Sequence, residues 1–221
     1  LLTLFHHLTH LLYHISCYDG DGGCMKTIKK EVSHELVIQK SRFITLLYPV
    51  TTKEEVKELL NRNKQDYPNA THYCYAYIID QEVYCSDDGE PSKTAGRPML
   101  HVLEEQQLNH ILAITIRYFG GIKLGAGGLV RAYSNSVSEA LQQAEITEYT
   151  KGIEILLSFP YEETKRIDFL LKDSSIIEKK YEEKIVYRVQ KDLDSFEQFQ
   201  NQINQNNITL LEQKEVYIHI K

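Results

Sequence analysis

The chain of 221 residues lacks the marks of several specialised protein classes. It has no run of about 18 apolar residues, so the sequence offers no candidate for a membrane-spanning helix. Its net charge of −6 excludes a uniformly basic surface that coats nucleic acid, although a local basic patch remains compatible with that charge. Hydrophobic residues make up 42% and charged residues 25% of the chain, which excludes a disordered or fibrous protein.

Cysteine is also sparse, and no two cysteines have the C-x-x-C spacing. The four cysteines are Cys17, Cys24, Cys74 and Cys85. They would be few for a secreted protein of this size, so we expect reduced thiols in a cytoplasmic protein. His72, Cys74 and Cys85 are weak candidates for a metal site, and we expect them to pack in the core. The catalytic patterns HExxH and GxSxG are absent and no base or nucleophile is identifiable, so we predict no cofactor and no bound metal.

Residues 1–24 differ from the rest of the chain. They begin with Leu1 rather than Met, and Leu1–Ile15 is rich in leucine and histidine. No basic residue precedes Lys26, whereas a signal peptide has basic residues ahead of its apolar core. We predict a non-native or flexible extension before a natural start at Met25. The alternative of a weak metal site stays open, because three of the histidines recur at helical spacing.

Residues 25–145 predict an α+β domain. The pattern Thr52-x-x-Glu55 is a capping box that begins a helix. The segment Ile111–Phe119 is almost entirely apolar, which is typical of a central strand covered on both faces. The predicted strands are Val32–Ile38, Phe43–Val50, His72–Ile79, Glu82–Cys85 and Ile111–Phe119. The predicted helices run from Thr52 to about Lys64, from about Thr94 to Gln106, and from the turn Gly120–Gly128 to about Ala144.

Residues 146–221 predict a second domain, with the boundary near Ala144–Lys151. Helical and strand periodicities alternate here in the order β-α-β-β-α-β, which is the split β-α-β arrangement of a ferredoxin-like domain. The predicted strands are Gly152–Phe159, Ser175–Tyr181, Lys184–Gln190 and Ile208–Ile220. The predicted helices are Tyr161–Lys172 and Leu193–Asn204.

The most informative part of the sequence is Ser86–Val137. It contains the pieces SDDGEPS, TAGRPML and RYFGGIKLGAGGLVRAY. These motifs and their spacing resemble the YigZ/IMPACT family, and the resemblance extends more loosely over Met25–Lys221. One departure is Lys93, where the family commonly carries a small residue.

The resemblance implies a fold for each domain and a role in translation. The N-terminal domain should be similar to the second domain of a small-subunit ribosomal protein and to domain IV of elongation factor G. The C-terminal domain should be ferredoxin-like and similar to domain V of that factor. Eukaryotic members of the family regulate translation initiation through a ribosome-associated kinase pathway, whereas bacterial-type members with two domains have no settled activity.

The glycine-rich turn predicts a site for anions or nucleic acid. Gly125, Gly127 and Gly128 lie where a helix begins, so their amides would be open to an anionic ligand. Positive charge surrounds them, because residues 92–131 contain five basic and two acidic side chains. The basic residues are Lys93, Arg97, Arg117, Lys123 and Arg131. We expect Arg117, Lys123 and Arg131 to converge on the turn; the alternative is that the glycines serve tight packing alone.

The acidic loop that precedes this turn in the sequence allows two interpretations. Asp87, Asp88 and Glu90 surround Gly89, and paired carboxylates of this kind can hold Mg²⁺. Alternatively, the loop caps the following helix, or Asp87 or Asp88 pairs with Arg117.

Three functions remain compatible with the sequence. The leading hypothesis is a non-catalytic protein that binds RNA or the ribosome through the basic glycine-rich edge and regulates translation. The second is an enzyme that binds a nucleotide or phosphate at the helix start, with Mg²⁺ at Asp87 and Asp88. The third is an adaptor between proteins. Tyrosines on the strands would add stacking surfaces for bases if exposed, although we expect most of them to serve the sheet. They are Tyr73, Tyr75, Tyr77, Tyr84 and Tyr118.

Overall fold

The computed structural model describes residues 24–172, 174–203 and 207–219. The predicted N-terminal extension therefore lies outside the described residues, apart from Cys24. The chain divides into two compact units, one spanning Lys26–Thr147 and one containing the residues from Glu148 onward, here called the first and second units. Across these described ranges, no helix is both long enough and apolar enough to cross a membrane.

The first unit is built on five antiparallel strands with helices on both faces. The strands are β2 (Val32–Ile38), β3 (Ser41–Pro49), β4 (His72–Ile79), β5 (Glu82–Ser86) and β6 (Ile111–Tyr118), preceded by the short β1 (Met25–Ile28). The order across the sheet is β2-β3-β6-β4-β5. The helices are α1 (Lys53–Asp66), α2 (Gly96–Glu105) and α3 (Gly125–Leu141).

Alternating side chains of the sheet build two separate cores. Phe43 and Leu47 of β3 face α2 and α3, whereas Ile44 and Leu46 face α1. This follows from the period of two in a strand, which sends successive side chains to opposite faces. The central strand β6 is buried from Ile111 to Arg117, as the sequence predicts for a strand covered on both sides.

The helix starts show how local polar groups define this unit. The predicted capping box is present: the Glu55 amide donates to Thr52 Oγ1 at 3.2 Å, and the Thr52 amide donates to Glu55 Oε2 at 3.3 Å. Helix α2 begins at Gly96 rather than Thr94, because the carboxylate of the distant Asp87 accepts the amides of Ala95 and Gly96.

The second unit has four antiparallel strands and two helices. The elements are β7 (Ile146–Phe159), α4 (Thr164–Leu170), β8 (Ser175–Tyr181), β9 (Ile185–Asp192), α5 (Leu193–Ile203) and β10 (Thr209–His219), with a 3₁₀ turn at Tyr161–Glu163. The order across the sheet is β10-β7-β9-β8, and β1 joins the same sheet as a fifth strand by pairing with β7. Chain order is thus β-α-β-β-α-β, as predicted, and β9 lies between β7 and β8, the split β-α-β arrangement.

One face of this second sheet packs on α4 and α5, and the other carries paired charges. On the charged face Glu154 is nearly buried beneath its partners. Its carboxylate accepts hydrogen bonds from Gln190 at 2.9 Å and Arg188 at 3.0 Å, and Lys214 Nζ lies 3.0 Å away. The bond from Gln190, with Lys214 and Arg188, lowers the pKa of Glu154 from 4.5 to about 2.

This lowered pKa makes the stability of the second unit depend on pH. The Glu154 carboxylate stabilises the fold above its unfolded pKa of 4.5, and that contribution is lost as the pH falls towards about 2. Replacing Glu154 with glutamine should cost on the order of 2 kcal/mol at pH 7 and roughly 40% of that at pH 3, which lies between the two pKa values. Urea unfolding at both pH values measures this difference. The exposed Glu197→Gln is the control, and an equal cost of Glu154→Gln at both pH values would contradict the prediction.

Candidate functional site

The glycine-rich segment connects β6 with α3. It consists of an exposed loop, residues 119–124, and of the first turn of the helix, which begins at Gly125. The predicted turn Gly120–Gly128 is therefore shorter than expected, because Gly125, Gly127 and Gly128 are already helical. The loop and the start of α3 together form the surface on which the sequence places its anion site.

The beginning of the loop is held against two other parts of the first unit. A Cβ atom on Gly120 would lie 2.0 Å from the carbonyl carbon of Lys40, so only glycine allows the loop to approach the turn between β2 and β3 this closely. The Gly120 amide donates to Ser41 Oγ at 3.1 Å. The Phe119 amide donates to Thr71 Oγ1 at 3.0 Å. The backbone conformation at this end of the loop is therefore well determined.

The start of α3 leaves its backbone open. Leu124 precedes the helix and supplies no side-chain acceptor for the first amides. Gly125 has a φ of +71°, which favours glycine at this position. Gly125 and Gly127 are exposed, and a Cβ atom at either position would meet nothing within 4 Å. An anion can therefore approach these amides without a side chain in the way.

Two predicted basic residues are available on this surface. Lys123 and Arg131 are exposed, and neither forms an ion pair with any residue in the described ranges. The apolar side chains of Phe119, Ile122 and Val130 are also exposed beside them. We call these five residues the loop surface. It combines exposed positive charge with exposed apolar groups within one short segment of the chain.

Arg117 does not belong to the loop surface, and the expectation that it converges there is wrong. Its side chain is only 6% exposed and forms an ion pair at 2.5 Å with Glu90, which is 3% exposed. Arg117 is the penultimate residue of the central strand, where Phe43 and His72 pair with it from the two neighbouring strands. Flanked on both sides, its guanidinium points into the core between the sheet and α3. The predicted pairing with Asp87 or Asp88 is likewise wrong.

A buried polar network surrounds this ion pair. The hydroxyl of Tyr133, on α3, donates to Glu90 Oε1 at 2.8 Å, and Arg117 lies 3.5 Å from Ser41 Oγ. The Cys74 thiol lies 3.3 Å from the Tyr133 hydroxyl. Burial raises the pKa of both Tyr133 and Cys74, so both groups remain protonated. We call these five residues the buried cluster. Since Ser41 also holds Gly120, the cluster connects directly to the loop.

The other acidic residues cap the backbone. Asp87 Oδ1 accepts the amides of Ala95 and Gly96, both at 2.9 Å, and Asp87 Oδ2 accepts the amide of Lys93 at 2.7 Å. Asp88 Oδ2 accepts the amide of Tyr73 at 2.6 Å. Asp87 therefore caps the start of α2, as the capping alternative predicts. The structure does not support a magnesium ion shared by Asp87 and Asp88, because their carboxylates accept hydrogen bonds from different backbone amides. Among the described residues, no three His, Cys, Asp or Glu side chains are placed to hold a metal.

The remaining predicted residues lie elsewhere. Arg97 is exposed on α2, where it forms an ion pair with Glu104 at 3.5 Å. Tyr84 stacks with Tyr75 and Tyr77, with ring centroids 5.8 and 5.6 Å apart. The hydroxyls of Tyr73 and Tyr118 donate to backbone carbonyls. These contacts tie the tyrosines to the sheet and its loops, although Tyr84 is itself 48% exposed.

Sequence reasoning missed three residues of the site. Tyr133 belongs to no motif with a known role, although a hydroxyl on the buried face of a helix needs a hydrogen-bond partner. Ser41 has no local signal, because it reaches Gly120 only through the pairing of β3 with β6. Phe119 was placed at the end of a buried strand, whereas the strand ends one residue earlier and leaves the ring 45% exposed.

The chain is similar to known proteins in both sequence and structure. The model of the Impact N-terminal domain matches residues 39–141. The chain is 38% identical over 208 residues to the IMPACT family member YvyE of Bacillus subtilis (strain 168), covering 88% of this chain and 96% of that protein. It is 38% identical over 159 residues to the IMPACT family member YigZ of Escherichia coli (strain K12), covering 69% and 78% respectively. A crystal structure of a hypothetical protein superposes with a TM-score of 0.61 at 33% identity, covering 85% of this chain and 96% of the other.

Proposed function

Because the chain belongs to the IMPACT family, as its motifs predict, we propose that it is a non-catalytic binding protein of the translation machinery that contacts RNA through the loop surface. The observation that carries this proposal is the pair of exposed cations, Lys123 and Arg131, beside the open backbone of Gly125 and Gly127. Phosphate groups are recognised by this combination of lysine, arginine and helix-start amides.

The charge balance supports a localised contact. The whole chain carries a net charge of −6, so most of its surface repels a polyanion. Lys123 and Arg131 are free to exchange their counterions for phosphates, whereas the predicted cations Arg97 and Arg117 already have carboxylate partners. RNA binding should therefore involve few phosphates and depend moderately on salt.

The fold is compatible with this role. The β10-β7-β9-β8 order of the second unit supports a ferredoxin-like domain, which the family resemblance implies is similar to domain V of elongation factor G. For the first unit, the family resemblance implies a domain similar to the second domain of a small-subunit ribosomal protein. These two implied similarities favour binding to the ribosome. The proposal therefore includes a cytoplasmic location for the protein.

The side chains with the chemistry for catalysis are engaged in the fold. Glu90, Asp87 and Asp88 are engaged in an ion pair or in backbone capping. The raised pKa of the buried Cys74 thiol makes it a poor nucleophile. These groups build the fold around the loop, so the binding surface accounts for the function better than a reaction does.

The proposal predicts how two substitutions change RNA affinity. In the double variant Lys123→Ala, Arg131→Ala, we expect the affinity for RNA to fall about tenfold near 0.1 M salt, because two phosphate contacts are lost. The slope of log affinity against log salt should become shallower by about 1.4, at about 0.7 for each phosphate of a single strand. Fluorescence anisotropy with labelled RNA over a salt series measures both quantities, and sedimentation with ribosomes extends the test to the assembled machinery.

The matched control removes equal charge elsewhere. Lys57 on α1 and Lys184 in the second unit are exposed, and Lys57→Ala, Lys184→Ala should leave the slope unchanged. Equal slopes for both double variants would refute the proposed RNA contact. Association with ribosomes that survives ribonuclease treatment and is lost in the Lys123, Arg131 variant would instead favour a protein adaptor, which the exposed Ile122 and Val130 would also suit.

A further inference from the structure

Phe119 is an exposed aromatic side chain on a fixed backbone. It is 45% exposed although it directly follows the buried strand β6. Its amide is bonded to Thr71 Oγ1, and the next residue, Gly120, packs against Lys40. The ring is therefore presented to solvent from a constrained position, so binding to it costs little conformational entropy.

One side of this ring is occupied by a buried cation. The guanidinium carbon of Arg117 lies 5.5 Å from the centroid of the Phe119 ring and 5.4 Å from that of Phe43. Because Arg117 is itself held by Glu90, it orients the Phe119 ring through a cation–π contact. The exposed remainder of the ring is free to receive a second planar group.

The neighbours of Phe119 suit a ligand that alternates planar and anionic groups. Lys123 lies in the same loop, and Arg131 follows on the exposed side of α3. Both cations lack an ion-pair partner in the part of the chain that the structure describes. An RNA strand supplies a base and a phosphate in each nucleotide, so it can satisfy the ring and the cations together.

Base pairing decides which form of RNA fits. In a duplex the bases are stacked on one another, and a protein meets phosphates and 2′-hydroxyls but no free base face. An exposed ring at the surface would gain nothing from that ligand. Unpaired nucleotides in loops, bulges and ends stack readily on phenylalanine.

We propose that the loop surface accepts unpaired RNA, with one base stacked on the ring of Phe119 and the adjoining phosphates at Lys123 and Arg131. This inference rests on the proposed RNA contact and specifies its ligand. Arg117 acts here as a positioning residue, since it holds the ring and does not touch the RNA.

The test uses the absence of tryptophan from the chain. The variant Phe119→Trp carries a single indole whose emission is quenched when a base stacks on it. Titration with short oligoadenylate should quench this emission, whereas an RNA duplex should bind through its phosphates without quenching. Phe169→Trp is the matched control, because Phe169 is 68% exposed in the second unit, and its emission should not respond.

Affinity measurements with the full chain complete the experiment. Phe119→Leu keeps an apolar side chain but removes the ring, and it should weaken binding of oligoadenylate about 5-fold to 160-fold, the range for one stacked base. Binding of duplex RNA should change little, and the thermal transition of Phe119→Leu shows that the variant remains folded. Phe169→Leu should bind oligoadenylate like the unsubstituted protein.

The outcomes separate this inference from the function on which it rests. Oligoadenylate that binds with equal affinity to Phe119→Leu, or duplex RNA that quenches Phe119→Trp as strongly, overturns the stacked base but leaves RNA contact intact. The absence of any RNA binding overturns both. Quenching by an acidic peptide and not by RNA would assign the loop surface to a protein partner and would also overturn the inference.

Discussion

Replacing Glu90 with glutamine should lower the free energy of unfolding of the first unit by about 3–5 kcal/mol, which is a large part of the stability of a typical domain. Glutamine keeps the size of the side chain, and its amide oxygen can still accept the hydrogen bond from the hydroxyl of Tyr133. It leaves the guanidinium of Arg117, 6% exposed, without a counter-charge. An uncompensated buried cation is among the most costly defects a single substitution can create.

Thermal and urea unfolding, with hydrogen exchange assigned to the first unit, measure this loss. The expected shift of the unfolding midpoint of the first unit is roughly 12–20 °C. Glu35→Gln is the matched control, because Glu35 pairs with Arg42 on the same sheet, but their side chains are 42% and 50% exposed. That exposed pair should be worth less than about 1 kcal/mol. Interacting pairs usually show coupling energies of about 0.5–3 kcal/mol. If the costs of Glu90→Gln and Glu35→Gln differ by less than about 0.5 kcal/mol, the buried ion pair stabilises the fold no more than the exposed pair does.

Gly120→Ala should be nearly as damaging, at about 3 kcal/mol or more. The added methyl group would lie 2.0 Å from the carbonyl carbon of Lys40 and 2.2 Å from its oxygen, so the backbone of the β2–β3 turn must move. That turn has little freedom to move, because Gln39 and Lys40 already have positive φ angles of 46° and 66°. The displacement should also break the bond from the Gly120 amide to Ser41.

Gly127→Ala provides the opposite result in the same segment. Gly127 lies within α3, and an added Cβ would meet nothing within 4 Å. Alanine favours the helix by about 0.5–1 kcal/mol relative to glycine, so this variant should be more stable than the parent. Differential scanning calorimetry of both variants measures the contrast. A Gly120→Ala protein that melts with the parent would mean that the loop does not rest on the turn.

The secondary structure could be predicted well where periodicity is strong. Strands β2, β4 and β8 begin and end at the predicted residues, and the Thr52 capping box is present. Strand β1 escaped prediction because its four residues, Met25–Ile28, are too few to show a period. Strand β7 begins at Ile146 rather than Gly152, since the polar residues that precede Gly152 resemble a linker.

The chemistry of the site was less accessible to sequence reasoning. The family, the basic residues of the loop surface and the capping role considered for Asp87 all follow from local patterns. The partner of Arg117 does not, because Glu90 is brought to it by the path of a loop that only the folded sheet defines. For the same reason Ser41, Tyr133 and Phe119 gained their roles only when the strands were paired and the end of β6 was known.

The charged face of the second sheet has a consequence for selectivity. Each cation that an approaching RNA would meet around Glu154, such as Arg188 or Lys214, already has a carboxylate within 4 Å. A phosphate must therefore displace an internal partner, and an acidic protein meets the same obstacle. Because its charges are paired with one another, this face of the sheet attracts neither polyanions nor polycations strongly. Non-specific binding to this face is therefore disfavoured, and a charged partner binds more readily where a cation has no carboxylate beside it.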